Sequence, residues 1–269
     1  VGPEAAGLPE AAVSAAVGNI VCDLDGVVYL SQTGIPGAGE ALSALERRGY
    51  HIVFATNAPI RTARQVAAHI EQVSGYPARR RQVVTSAMAL IGMLGPEDSP
   101  LLVVGEEGLA ATLREAGFDL SQDPTSVRTV VVGLDRHLTY ERLRRATTAV
   151  LGGARLLAGN RDATYPSEQG LLPGGGAIVA AIEAASERRA EVAGKPFPPM
   201  RAEIRKTLGP GPTWVVGDRP ETDLQLGRDE GWSTVLVLTG VISDPAAVPP
   251  ELQPDLVLPS LAALPARLP

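Results

Sequence analysis

The chain has 269 residues, 45% of them hydrophobic and 20% charged, which is enough for one large or two medium domains and marks a soluble globular protein, not a disordered or fibrous one. A formal net charge of −6 argues against nucleic-acid and acidic-membrane partners, and no run approaches the roughly 18 apolar residues of a membrane span. The single cysteine, Cys22, excludes an internal disulfide and a Cys-based zinc site and fits a reducing cytoplasm; its apolar setting makes it a core residue, not a nucleophile.

Residues 1–17 hold Ala and Pro with no basic segment, so they read as an N-terminal arm and not a signal peptide. Gly18 to Cys22 is a short apolar run that predicts a buried strand, and Asp23-Leu24-Asp25-Gly26 follows at its end. Ligands collect at the carboxyl ends of strands in open α/β sheets, although an Asp-x-Asp pair alone also describes a solvated turn. Glu40 to Arg48 predicts a helix stopped by Gly49, and Tyr50 to Ala55 a second strand; this β-loop-α-β order implies a parallel sheet. Thr56-Asn57-Ala58-Pro59 comes next, ahead of a helix beginning near Arg61. The hydroxyl and amide of Thr56 and Asn57 suit either an anion grip or a helix cap. Arg79-Arg80-Arg81 is the lone basic triplet and reads as a solvated end. Residues 83–94 are expected to be helical, and Gly95 to Pro100 breaks the pattern as a hinge.

A second α/β layer follows. Strands are expected over Leu101–Gly105, Thr129–Leu134 and Arg155–Ala158, and helices over Gly108–Ala116, Tyr140–Leu151 and Ala177–Arg189. This divides the chain into a core over 1–97, an insert over 98–190 and a second core part over 191–269. Gly159-Asn160-Arg161-Asp162, at a strand end in the insert, reads from its residues alone as a turn. Gly194-Lys195-Pro196 holds one of only two lysines, Lys195 and Lys206, among 24 Lys and Arg, a hint that a compact ammonium is wanted there. Thr213 to Gly217 predicts a strand ending in Asp218-Arg219-Pro220-Glu221-Thr222-Asp223, and further strands are expected over Val235–Leu238 and Asp255–Leu258. His51, His69 and His137 have no motif around them and read as structural.

Strand ends thus carry Asp23 and Asp25, Thr56 and Asn57, Lys195, and Asp218 and Asp223. Several carboxylates with one ammonium are the inventory of a site for Mg2+ and phosphate, because Mg2+ takes a few carboxylate and carbonyl oxygens and completes its shell with water and substrate. A carboxylate nucleophile needs the repulsion of a phosphate dianion screened, and a second acid two residues on can protonate the leaving alcohol and then activate water.

In this order, Asp23-Leu24-Asp25-Gly26, Phe54-Ala55-Thr56-Asn57, Gly194-Lys195-Pro196 and Gly217-Asp218-Arg219-Pro220-Glu221-Thr222-Asp223 resemble the four motifs of the haloacid dehalogenase-like hydrolases. The insert and Val235 to Gly240 resemble the C2-capped subgroup that contains NagD-type and phosphoglycolate phosphatases. The resemblance implies a Rossmann-like parallel-sheet core with an inserted, mobile or overhanging α/β cap of the C2 type. It also implies a Mg2+-dependent phosphatase working through an aspartyl-phosphate. On that footing Asp23 is the nucleophile and Asp25 the acid/base. Asp23, Asp25 through its carbonyl, and Asp218 hold Mg2+, with Asp223 supporting the metal shell. Thr56, Asn57 and Lys195 hold the phosphoryl group. Asn160 and Asp162 match a cap segment that meets a hydroxylated leaving group. Ala58-Pro59 departs from the family pattern, where an Asn and a Ser are common.

The implied partner is a small phosphorylated metabolite, with no nucleic acid and no membrane; a homo-oligomer is compatible with the pattern. The chain looks most like glycerol-3-phosphate phosphatases of actinobacteria, with 2-phosphoglycolate as nearest competitor and sugar or nucleotide phosphates behind. A phospho-accepting regulatory protein with little turnover is the alternative from another class, and Asp25 speaks against it. A C–halogen hydrolase would need neither Asp25 nor Asp218, and a non-catalytic relative would lack a motif residue.

Overall fold

The computed structural model describes residues 17–268, so all of the expected N-terminal arm except Val17 lies outside it. The chain opens with β1 (Gly18–Cys22), a small hairpin of β2 (Tyr29–Leu30) and β3 (Thr33–Gly34), α1 (Ala38–Arg47), β4 (Tyr50–Thr56), α2 (Ala63–Ser74), β5 (Val83–Thr85) and α3 (Ser86–Ile91). A capping box starts α2: the Thr62 amide donates to Gln65 Oε1 at 2.9 Å and the Gln65 amide to Thr62 Oγ1 at 3.4 Å. Gly75, at φ 75°, ends it.

The second unit comprises β6 (Leu101–Val104), α4 (Glu107–Glu115), β7 (Thr129–Val132), α5 (Tyr140–Leu151), β8 (Arg155–Ala158), a hairpin of β9 (Thr164–Ser167) and β10 (Gly170–Pro173), α6 (Gly175–Ser186) and β11 (Glu191–Val192). The chain then returns through α7 (Pro198–Thr207), β12 (Thr213–Gly217), α8 (Gln225–Glu230), β13 (Ser233–Val237) and β14 (Leu256–Leu258).

Two parallel sheets result, ordered β14-β13-β12-β1-β4-β5 and β11-β8-β7-β6. In the larger sheet, Ile20, Cys22, Ile52, Phe54 and Val216 pack into one apolar cluster, while Val21, Val53, Ala55 and Val215 pack into another. Both faces are covered, which is why these strands read as unbroken apolar runs and not as alternating ones. β1 lies between β12 and β4, where the strand order reverses. The carboxyl ends of these three strands therefore open on one crevice.

The second cluster does not stop at the larger sheet. It takes in Leu101, Leu109, Leu113, Val131 and Leu157 of the second unit together with Val84, Leu90, Met200 and Ile204. The expected hinge is also pinned. Asp98 accepts hydrogen bonds from the Gly95 amide at 2.9 Å and Thr129 Oγ1 at 3.2 Å, and pairs with Arg155 Nη1 at 2.7 Å.

One expected element is corrected. Residues 83–94 are not one helix: Val83 to Thr85 form the edge strand beside β4, and the Thr85 side chain then caps α3 by accepting from the Met88 amide at 3.4 Å. No helix among the described residues is long and apolar enough to cross a membrane.

Candidate active site

The acids after β1 sit in a tight loop. The amides of Val27, Val28 and Tyr29 all turn back to the Leu24 carbonyl, and the Gly26 amide donates to Tyr29 O at 2.8 Å. Gly26 has φ 86°, a left-handed conformation that favours glycine, and a Cβ there would also collide with the Asp218 carboxylate. Gly240 crowds the same carboxylate oxygen, equally without room for a side chain. Asp218 thus packs against two glycines, and its Oδ2 accepts the Val241 amide at 2.6 Å. Thr239 fastens this second loop to the first through Gly26 O at 2.6 Å.

Asp23, Asp218 and Asp223 bring one carboxylate oxygen each to within 4.8 Å of one another. That spacing and donor type fit a hard divalent cation. The Asp25 carboxylate is not one of the three. Lys195 Nζ lies 2.7 Å from Asp23 Oδ1 and 2.6 Å from Asp223 Oδ1. Burial alone would push the ammonium pKa down, but the charges of Asp223 and Asp23 outweigh it and hold Lys195 protonated. Burial raises Asp23, with Lys195 opposing. It pushes Asp218 up to about 7, reinforced by the charge of Asp223. Asp25 is pushed up to about 6 by burial, with Arg61 as the main opposing charge. A carboxyl titrating near neutrality suits proton transfer in both directions.

Asn57 is tied up more than its sequence position suggests. Its Oδ1 accepts the Lys195 amide at 2.7 Å, and its Nδ2 donates to Lys195 O at 3.2 Å and to Asp162 Oδ2 at 3.2 Å. The Asn57 carbonyl in turn accepts from Ser86 Oγ at 3.0 Å and Asn160 Nδ2 at 2.7 Å. Asn160 Oδ1 accepts the Asp162 amide at 3.1 Å, so both ends of the Asn160 amide are engaged by the protein. Thr56 Oγ1 accepts the Ala58 amide at 3.0 Å, which leaves its hydroxyl hydrogen to donate.

All nine residues singled out from the sequence come together. Asp23, Asp25, Thr56, Asn57, Asn160, Asp162, Lys195 and Asp218 line one cleft, and Asp223 lies behind Lys195. The second unit covers this cleft and is fastened to the core around it. Arg219 Nη2 donates to Thr164 O at 2.7 Å, and Thr33 Oγ1 to Glu168 Oε1 at 2.7 Å. The cleft holds about 490 Å3, part of it open to solvent.

Several contributors escaped the sequence reading. Tyr165 lines the cleft from β9, in a stretch without a motif. Arg61 and Arg136 line a neighbouring cavity, and Ser86 and Thr239 act only through backbone atoms of Asn57 and Gly26. Arg219 stood within a recognised motif but shows no signal for its reach to β9. Two of the histidines make structural contacts: His51 Nε2 meets Thr207 O at 2.9 Å, and His69 Nε2 meets Ser31 O at 2.9 Å while its ring packs edge-on to Tyr29; His137 is exposed. Cys22 is buried, and burial raises its thiol well above its ordinary range.

Comparison with known proteins agrees with this geometry. A haloacid dehalogenase-like hydrolase profile matches residues 20–119 and a HAD-hydrolase-like profile residues 192–264. Chronophin of Homo sapiens is 38% identical over 240 residues, covering 82% of this chain and 81% of its own. The acid sugar phosphatase of Staphylococcus haemolyticus is 34% identical over 224 residues, covering 81% and 84%. The crystal structure of a Mycobacterium tuberculosis glycerol phosphate phosphatase in complex with magnesium superposes with TM-score 0.79 at 34% identity, covering 91% of this chain and 75% of that one. The chain belongs to the haloacid dehalogenase-like hydrolases. Within them it is a phosphoric monoester hydrolase of the C2-capped subgroup.

Proposed function

We propose that this chain is a Mg2+-dependent phosphatase of small phosphate monoesters that works through an aspartyl-phosphate on Asp23, with glycerol 3-phosphate as its foremost substrate. The observation that carries the reading is the convergence of Asp23, Asp218 and Asp223 within 4.8 Å around a buried lysine, with Asp25 titrating near neutrality beside them. Asp23, Asp218 and the Asp25 carbonyl would hold the metal, with Asp223 sharing its carboxylate between that site and Lys195. Bound Mg2+ would supply charge that lets a carboxylate approach a phosphate dianion.

Asp23 attacks phosphorus as the ester P–O bond breaks, and Asp25 gives its proton to the departing alkoxide. Asp25 then takes a proton from water, whose oxygen attacks phosphorus, and the acyl-phosphate bond opens to phosphate and free Asp23. Lys195 and the Thr56 hydroxyl balance charge on the phosphoryl oxygens. Asn57 holds the Lys195 peptide in place. The second unit, expected over 98–190 and with its sheet reaching Val192, acts as the cap, and Asp162 accepts from a hydroxyl of the leaving group while Asn160 positions it.

Glycerol 3-phosphate is supported by Asp162 in the cleft and by the likeness to the mycobacterial glycerol phosphate phosphatase. A second reading, 2-phosphoglycolate, is favoured by Arg61 and Arg136 in the neighbouring cavity. The test is phosphate release with Mg2+ from glycerol 3-phosphate, 2-phosphoglycolate, sugar phosphates and nucleotides, with EDTA as control. Metal-dependent release led by glycerol 3-phosphate is the expected result. Release that survives EDTA, or none from any ester, contradicts the reading.

A further inference from the structure

Between Asn160 and Asp162, which line the cleft, stands Arg161, to which the reaction gives no part. Its guanidinium pairs with Glu183 of α6. Glu183 is 7% exposed, and three donors surround its carboxylate. Arg161 Nη2 and the Ala190 amide, the latter at 2.8 Å, share Oε1, and Arg189 Nη1 meets Oε2 at 3.0 Å. Burial alone would raise the carboxyl, but the Ala190 amide and the two guanidinium groups hold it below its ordinary range.

The Ala190 and Arg189 contacts have a local explanation, because they tie the turn after α6 back onto the helix. The Arg161 contact does not, since it joins α6 to a loop 22 residues earlier. That loop also meets α6 at its first turn. The Gly176 amide donates to Asp162 O at 2.9 Å, and the Gly174 amide, just ahead of the helix, to Ala163 O at 2.8 Å. A Cβ at Gly174 would collide with Asp162 O, and one at Gly176 with Arg161 O, so glycine here lets the loop backbone lie directly on the helix start. Gly176 and Glu183 are seven residues apart in α6, about 10 Å along its axis. Two attachments that far apart fix the angle of a segment as well as its place, whereas the first alone would leave it free to pivot. The segment so fixed presents Asn160 Nδ2 to Asn57 O at 2.7 Å and Asp162 Oδ2 to Asn57 Nδ2 at 3.2 Å.

We propose that Glu183 is a positioning residue that, through Arg161, fixes the Asn160–Asp162 loop over the cleft and so sets how sharply the leaving group is selected. The inference rests on the phosphatase reading and deepens it. Asp162 meets the leaving group, and the Arg161–Glu183 strut, remote from the reacting atoms, keeps it at the angle that does so.

The experiment measures kcat and KM on glycerol 3-phosphate and on phenyl phosphate, whose leaving alcohol has no further hydroxyl. The variants are Arg161→Met, Arg161→Lys, Glu183→Gln, Arg189→Ala and the double Arg161→Met/Glu183→Gln. Loss of a charged hydrogen bond predicts that Arg161→Met and Glu183→Gln each lower the ratio of kcat/KM on glycerol 3-phosphate to that on phenyl phosphate about 10-fold, mainly through KM. The double variant should lose no more than either single one, because both break the same link. Arg161→Lys should restore part of the ratio, and Arg189→Ala, which removes only an exposed partner of Glu183, should leave it unchanged. An unchanged ratio in Arg161→Met, or an equal fall in Arg189→Ala, overturns the proposal. In a second arm, hydrogen exchange of the resting protein is read by mass spectrometry over residues 160–176. Exchange should quicken about 10-fold in Arg161→Met and Glu183→Gln but not in Arg189→Ala, as the bonds of the Asp162 and Gly176 amides loosen. Unchanged exchange refutes the strut whatever the enzyme turns over. A parent chain that hydrolyses neither ester while exchange responds as expected refutes the phosphatase reading and the role in selection, and leaves the strut standing.

Discussion

Both amide atoms of Asn57 are spent on the peptide of Lys195, which separates two roles that the motif alone leaves merged. If Asn57 positions Lys195, Asn57→Ala should lower kcat about 10- to 100-fold with little change in KM and cost about 1–3 kcal/mol of stability. A large rise in KM at constant kcat would show instead that it grips phosphate directly. The buried acids give a second expectation. Asp218, titrating up to about 7, and Asp25, up to about 6, keep protons in the folded chain that an unfolded chain releases near the ordinary 3.8. The metal-free protein should therefore lose stability as pH rises through that window. Asp98 and Glu183, whose amide and arginine partners hold them down against burial, act in the opposite direction only below their ordinary range. Mg2+ replaces protons among the acids, so its effect on the unfolding temperature should be larger near pH 8 than near pH 5. Equal shifts at both would contradict the assignment of these acids to the metal. The acids, Thr56, Asn57 and Lys195 were legible because their chemistry fixes residue type and order. Tyr165 was not, since it lines the cleft from a stretch of β9 that carries no motif.

At the scale of elements, strands with both faces buried stood out as apolar runs, and β1, β8, β12 and α5 fall on the residues expected of them. Val83 to Thr85 did not stand out, because a three-residue edge strand passes into α3 with no Gly or Pro between, and Thr85 serves as strand end and helix cap together. The β9–β10 hairpin was missed for another reason: Pro166 and Pro173 within it weaken any strand signal, although an edge position tolerates them. The hinge was visible as a break but its rigidity was not, since that depends on Asp98 meeting Thr129 and Arg155 far along the chain. Asp98→Ala should cost about 1–3 kcal/mol, discounted because Arg155 is part-exposed, and should leave hydrolysis of an unhindered aryl phosphate nearly unchanged. Chemical denaturation read beside activity checks this; a selective loss of activity without loss of stability would place Asp98 in cap movement instead.

For the whole molecule, the shared apolar cluster joins the two sheets more closely than an insert on a flexible hinge would. Asn57, Thr33 and Arg219 add polar ties from the core to Asp162, Glu168 and Thr164 of the second unit. Unfolding should therefore be one cooperative transition, with calorimetric and van't Hoff enthalpies in agreement, and two separated transitions would show that the units are independent. The same packing places the reversal point of the large sheet under the second unit, so that three strand ends and Lys195 share one cleft. The central claim is that Asp23 carries the phosphoryl group. Quenching the Mg2+-loaded enzyme during turnover and reducing with borohydride, followed by peptide mapping, should convert Asp23 to homoserine only when substrate is present. Steady turnover with Asp23 unmodified, or reduction at Asp25 or Asp218 instead, would contradict it.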